Sequence, residues 1–320
     1  MSWGGGIPLA ITWFLEETEV AILVSGAAGF LGRRLVERLV EDGREIVAIA
    51  RSPAPECWAT TPNVRWLIQD IAQSGVDLTG QPEIEAVVHL AGLTLGAQKD
   101  ENLFLQANEQ TTVRLLQTLA NVTDRFVFAS SQVVYGDACS LDVTEEFPLQ
   151  TEGSAYACSK LNSENWMRYF QKKHGGQYLA LRFCGFVDGG GLVDYIIARA
   201  LDDEPIELYS QGAVRRDYLP SSEGIDALAA ALSYSGEDGF VPVNIGSGQA
   251  VSALEIAATI LAELQASSQV TLHNTPSPQG DFVFSIDKAK ALLNFQPGSL
   301  IEAIRLYAKH KQEQVRTKHA

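Results

Sequence analysis

Hydrophobic positions change period along this chain. Val20-Ala21-Ile22-Leu23-Val24 is an unbroken apolar run of strand length, as a strand covered on both faces requires. From Arg33 to Val40 the apolar residues Leu35, Val36, Leu39 and Val40 instead recur at helical spacing between charged ones. The alternation repeats. The pattern predicts further strands at 44–50, 63–68, 86–92, 125–131 and 178–182, with helices at 108–120 and 156–172. Strands alternating with helices predict an α/β fold, a doubly wound parallel sheet that gathers its ligands at the carboxyl ends of the strands. Beyond residue 183 the pattern loosens into helices at 192–201, 224–234, 252–265 and 287–294 and short strands at 207–209 and 241–246. That part reads as a smaller mixed C-terminal region for binding substrate. The polar last ten residues are expected to fray.

The first strand breaks into Ser25-Gly26-Ala27-Ala28-Gly29-Phe30-Leu31-Gly32 before the first helix. Strand, glycine turn and helix in this order make a Rossmann-type dinucleotide fingerprint. Gly26 permits the tight turn, Gly29 lets the backbone approach a pyrophosphate, and Gly32 lets helix and strand pack closely. The new helix N-terminus favours phosphate through its unpaired N–H groups and its dipole. Residues 20–182 are therefore expected to form the dinucleotide-binding domain, with segments at about 217–245 returning to it. Residues 183–320 are expected to be mainly substrate-binding. Residues 1–19 read as a surface extension, because the apolar stretch 7–15 is too short to span a bilayer and no basic residue precedes it.

Composition removes several alternatives. A formal net charge of -15 opposes a nucleic-acid partner, so any phosphate group must be held by local donors. No membrane partner is expected. Cys57, Cys139, Cys158 and Cys184 show no metal spacing and no redox pair. Each reads as a small buried hydrophobe in a reducing, cytoplasmic setting, and no metal site is expected.

Tyr156 and Lys160 are one helical turn apart, and Ser131 closes a buried strand. A nearby ammonium favours the phenolate, so Lys160 is expected to lower the Tyr156 pKa from about 10. Tyr156 then exchanges a proton with a carbinol or carbonyl oxygen, Ser131 orients that oxygen, and a nicotinamide takes or gives the hydride.

These motifs, in this order, resemble the extended short-chain dehydrogenase/reductases, the superfamily of NAD-dependent epimerases and dehydratases. The resemblance runs from Val20 to about Pro297. It includes Gly26/Gly29/Gly32, Asp70-Ile71, His89-Leu90-Ala91-Gly92, Asn108, Ser131, Tyr156/Lys160, Leu181-Arg182-Phe183, Arg216-Asp217-Tyr218, Asn244-Ile245-Gly246 and Gly280-Asp281. It implies that Asp70 and Ile71 flank the adenine, while Leu90, Ala91 and Gly92 line the nicotinamide half of the groove. Asn108 would support the active-site helix at the cofactor, and Lys160 would also hold the nicotinamide ribose beside Tyr156. Phe30, Leu31 and Cys184 would face the cofactor, and Arg216 would contact a phosphate of the substrate. A homodimer through the tyrosine-bearing helix is implied as well.

Three departures narrow the function. Where a relative using NAD has an acidic residue at the end of the second strand, this chain has Ala50-Arg51-Ser52. A guanidinium there favours NADP over NAD, with Arg33 or Arg34 placed to help. Gln132-Val133 follows Ser131 where sugar-nucleotide dehydratases carry Asp-Glu, which opposes dehydration. The Cys and His of the epimerase-reductases that form GDP-fucose have no evident counterparts either. Gly185 and Pro278-Gln279 replace an Asn and an Arg expected to hold a nucleotide-sugar. The expectation is an NAD(P)-dependent ketoreductase or 4-epimerase working on a sugar-nucleotide-like substrate. A reductase of a non-nucleotide ketone and a non-catalytic NADP(H)-binding protein stay open.

Overall fold

The computed structural model describes residues 20–94, 100–277 and 280–319. The extension read at 1–19, and Pro278-Gln279, lie outside the described residues.

Seven strands form one parallel sheet: β1 (Val20–Ser25), β2 (Glu45–Ala50), β3 (Val64–Ile68), β4 (Glu83–His89), β5 (Arg125–Ser131), β6 (Gln177–Phe183) and β7 (Gly239–Ile245). Their spatial order is β7-β6-β5-β4-β1-β2-β3. The chain therefore reverses direction across the sheet between β1 and β4, the crevice where open α/β sheets bind ligands. The apolar run in β1 is explained by this central position. Ile22 and Val24 enter the core on one face of the sheet, and Ala21 and Leu23 enter the core on the other.

Helices cover both faces. On one side lie α1 (Phe30–Glu41) and, further along, a helix at Ser221–Leu232; on the other lie α2 (Thr111–Leu119) and α3 (Ala155–His174). Helix α1 buries Gly32, Leu35, Val36 and Leu39, the stripe that its spacing predicts. In α3, Ser154 caps the N-terminus by accepting from the Ala157 N–H, and Lys172, Lys173 and His174 occupy the last turn, where cations suit the helix dipole. Its buried face is polar for an interior helix: Tyr156, Ser159, Lys160, Ser163 and Glu164 all lie on it. Buried polar groups are the informative ones in a core, and these gather beside the carboxyl ends of β4 and β5.

The C-terminal part has its own apolar core, made by α4 (Leu192–Leu201), α6 (Ala253–Leu264) and α7 (Leu300–His319), with α5 being Ser221–Leu232 above. The residues expected to fray form the last, mostly exposed turns of a longer helix. Helix α7 runs to His319, with Leu300, Ile304 and Ala308 anchoring its first half in that core. Short strands complete the region. Val251–Ser252, Arg215–Arg216, Phe282–Phe284 and Ser140–Val143 form a four-stranded sheet. Strand Tyr218–Leu219 pairs with Gly185–Phe186.

The cysteine expectation is corrected in part. Cys184 is buried, but Cys57 and Cys139 are exposed and Cys158 is half-buried; all four are free thiols.

Candidate active site

The turn after β1 is built by close backbone approach. Gly26 and Ala27 donate their N–H groups to the Ile49 carbonyl at 2.9 and 3.1 Å, and Gly29 donates to the Gly26 carbonyl at 2.9 Å. Gly26 has a φ of +74°, and a Cβ there would lie 2.6 Å from the Ala91 nitrogen. At Gly32 a Cβ would lie 2.1 Å from the Gly26 oxygen, so only glycine lets α1 sit on the turn.

A groove of about 950 Å³ opens over this turn. Its walls bring together Gly26, Gly29, Arg51, Asp70, Ile71, Leu90, Ala91 and Gly92, residues drawn from the ends of β1, β2, β3 and β4. Arg51 and Ser52 are exposed at the end of β2. Asp70 caps the short helix Ile71–Ser74 through its backbone carbonyl, while its carboxylate makes no capping bond. A glycine cradle closed to any Cβ, an arginine at one end and a volume within the range of cofactor sites fit a dinucleotide. Phe30, Leu31, Gly32, Asn108, Tyr156, Lys160 and Cys184 do not line the groove itself.

Asn108 works from behind the wall. It sits in a π-helical turn, Leu105–Gln110, a form that recurs at functional positions. Its Oδ1 accepts from the Leu93 N–H at 2.7 Å, and its Nδ2 donates to Ser159 Oγ at 2.9 Å. The loop after β4 is thereby tied to α3. Gly92 needs its missing side chain here, because a Cβ would lie 2.8 Å from Asn108 Oδ1.

Below the same loop, His89 bridges Ser25 Oγ at 2.7 Å and Thr112 Oγ1 at 2.9 Å. Burial first, and the Lys160 charge second, push its pKa down to about 3, so the ring is neutral at ordinary pH.

Ser131 and Tyr156 meet where β5 ends. Ser131 Oγ accepts from the Val133 N–H at 3.4 Å, and its hydroxyl lies near enough to the Tyr156 phenol to favour the phenolate slightly. Tyr156 is 7% exposed and rests against Phe104, with ring centroids 5.6 Å apart. Lys160 donates to the Ala129 carbonyl at 2.8 Å and lies over the Phe128 ring at 4.8 Å. The expected lowering of the Tyr156 pKa is corrected. Burial raises it to about 12, against a smaller opposite effect of the Ser131 hydroxyl. The Lys160 ammonium is 6.0 Å from the tyrosine ring centroid, and burial lowers its own pKa to about 8.

Glu164, Arg182, Tyr135 and Asn244 form a buried network that the sequence reading assigned no role. The Arg182 guanidinium meets Glu164 with two bonds of 3.0 and 2.7 Å and donates to the Tyr135 hydroxyl at 2.8 Å. Ser130 Oγ donates to Glu164 at 2.5 Å, and Tyr135 donates to Asn244 at 2.7 Å. The available signal was spacing: Glu164 continues the stripe of Tyr156 and Lys160 at four-residue steps.

In the C-terminal part, Arg216 is half-buried, donates to the Gly280 carbonyl at 3.0 Å and lies over the Phe282 ring at 5.1 Å. Asp217 turns away to accept from Ser247 N, Ser247 Oγ, Gly248 N and Phe284 N. Burial nevertheless raises its pKa to about 6. A Cβ at Gly185 would meet the Tyr218 ring at 3.1 Å, so the asparagine expected at this position does not fit without moving that ring. Arg34, placed by the sequence to help at the cofactor, pairs with Asp188 at 3.4 Å and covers Phe30, and does not line the groove. Arg33 is likewise outside the groove, with its Nε bonded to the Ala28 carbonyl at 2.9 Å.

Fold and groove define a dinucleotide-binding α/β protein with Ser131, Tyr156 and Lys160 gathered near the strand ends. The chain belongs to the NAD dependent epimerase/dehydratase family, which matches residues 22–246. It is thus an NAD(P)-dependent enzyme of the extended short-chain dehydrogenase/reductase class. It is 24% identical over 307 residues to the dTDP-4-dehydro-6-deoxyglucose reductase of Escherichia coli, covering 90% of this chain and 96% of that protein. It is 27% identical over 316 residues to the UDP-glucose 4-epimerase of Streptococcus mutans, covering 87% and 92%. Among solved structures, MoeE5 in complex with UDP-glucuronic acid and NAD shares 26% identity with a TM-score of 0.78, covering 92% of this chain and 99% of that one. The UDP-glucose 4-epimerase of Thermotoga maritima has the same TM-score and coverage at 20% identity, a likeness of fold. Among the described residues, no helix is long and apolar enough to cross a membrane.

Proposed function

We propose that this chain is an NADPH-dependent ketoreductase that reduces a keto group on a nucleotide-linked sugar. The observation that carries the reading is Arg51, an exposed cation in the groove wall at the end of β2, where Ala50 leaves no carboxylate for a ribose 2′-hydroxyl. A guanidinium there pairs with the 2′-phosphate of NADP in a charge-assisted contact.

When bound, the nicotinamide supplies the hydride. Tyr156 Oη gives its proton to the substrate oxygen. A phenol whose pKa is pushed up to about 12 holds that proton at neutral pH, as a general acid in the reductive direction must. Ser131 Oγ, at the end of β5 beside Tyr156, orients the same oxygen. The Lys160 ammonium, fixed on the Ala129 carbonyl, stands just behind Gly92 of the groove wall, from where it would reach the nicotinamide ribose and offset charge that develops on the phenolate. Arg216, in the C-terminal part, would hold a phosphate of the substrate.

The likeness to the Escherichia coli reductase supports the reductive direction. A second reading, a 4-epimerase that retains NAD, has support in the likeness to the Streptococcus mutans UDP-glucose 4-epimerase and to MoeE5, whose structure holds NAD and UDP-glucuronic acid. Trp166 and Tyr169, 37% and 53% exposed on α3, support a homodimer through that helix. The free thiols suit a reducing, cytoplasmic setting.

Calorimetric titration tests the cofactor assignment. The wild type is expected to bind NADPH at least about tenfold more tightly than NADH, and Arg51→Ala is expected to erase that difference, the loss of one charged contact. Tighter binding of NADH by the wild type would move the assignment to the epimerase.

A further inference from the structure

Arg51 lies on a loop, and an exposed arginine on a mobile loop discriminates poorly, because each binding event must first order it. This loop is held from the neighbouring strand. Trp66 on β3 donates its indole Nε1–H to the Ser52 carbonyl at 2.9 Å, one residue beyond Arg51. The strand is placed for this by register, with Trp66 opposite Ala48 of β2.

Trp66 is itself fixed. Trp58, from the short helix Glu56–Ala59 that follows the loop, stacks on it with ring centroids 5.7 Å apart and planes at 26°. Between the two tryptophan contacts run Ser52-Pro53-Ala54-Pro55. Both prolines lock a backbone angle, and the Pro55 carbonyl accepts from the Trp58 N–H at 2.9 Å, which starts the helix. The segment is therefore closed at each end: the Ser52 carbonyl on Trp66, and the helix after Pro55 on the face of the same indole. Arg51 and Ser52 both line the groove, whereas neither tryptophan does.

We infer that Trp66 is a positioning residue for cofactor discrimination: its indole N–H, bonded to the Ser52 carbonyl, preorganises the loop that aims Arg51 at the adenosine end of the groove. The inference rests on the reading of Arg51 given above. It assigns selectivity to a side chain that touches no cofactor.

Trp66→Phe is the direct test, since it removes the N–H donor while keeping an aromatic, if smaller, ring for Trp58. Pro53→Gly is the second variant, loosening the same loop without touching the strand. Dissociation constants for NADPH and NADH are measured by calorimetry on the full chain. In both variants the NADPH constant is expected to rise about five- to tenfold, the effect of one hydrogen bond and its ordering. The NADH constant is expected to change less than twofold. A merely structural role would weaken both cofactors together or neither. If the wild type itself fails to prefer NADPH, the Arg51 reading falls and the discrimination role of Trp66 falls with it. If the wild type prefers NADPH but both variants keep the full preference, Arg51 stands and the inference about Trp66 is overturned.

Discussion

Tyr156→Phe is expected to lose about 10²- to 10⁴-fold in turnover, the usual contribution of a positioned general acid. The variant removes one oxygen from a side chain packed against Phe104, so the ring keeps its place and the fold its stability. Cofactor affinity is expected to stay within about twofold, because Tyr156 does not line the dinucleotide groove. The loss should fall on kcat more than on KM, as for a group whose proton moves only in the transition state. Steady-state kinetics on a nucleotide-linked keto sugar checks this. Unchanged kcat would remove Tyr156 from the chemistry.

Glu164→Ala is expected to destabilise the protein by about 3–5 kcal/mol, the range for breaking a buried ion pair from one side. Glu164 is 0% exposed and Arg182 1%. Removing the carboxylate leaves a guanidinium in the core without its counter-charge, and leaves Ser130 without its acceptor. The double variant Glu164→Leu with Arg182→Met is expected to recover most of the loss, since replacing both partners with apolar groups removes the desolvation cost together with the attraction. Thermal unfolding of the single and double variants measures both effects. A Glu164→Ala protein as stable as the wild type would show that the network does not hold α3 to the sheet. The network matters to the site because Glu164 is one turn from Lys160, and Ser130 is adjacent to Ser131.

The dinucleotide half was legible in the sequence because its determinants are local. Gly26, Gly29 and Gly32 belong to one turn, and the uninterrupted apolar character of β1 announces a central strand. Tyr156 and Lys160 share a helical face by spacing alone. What escaped depends on partners far apart in the chain. Arg182 and Glu164 lie on different elements, and Asp217 finds its donors at Ser247, Gly248 and Phe284. Nothing near Arg34 foretells that Asp188 will claim it. The strands Arg215–Arg216 and Val251–Ser252 are too short to show a period of two. In α7 the stripe of Leu300, Ile304 and Ala308 is diluted by exposed Leu306 and by the polar residues that follow, so the helix reads as a tail. The tyrosine pKa went astray for a different reason. The spacing brings Lys160 onto the same face, but its ammonium is held on the Ala129 carbonyl, and burial of the phenol sets the direction of the shift.

The most direct measurement is cofactor stoichiometry. The purified protein is given dTDP-4-dehydro-6-deoxyglucose and NADPH, with absorbance at 340 nm followed alongside the sugar product. The reductase account predicts one NADPH oxidised for each keto group reduced, with little turnover when NADH replaces it. Tightly held NAD released on denaturation, together with conversion of a UDP-hexose into its 4-epimer without net use of NADPH, would contradict it.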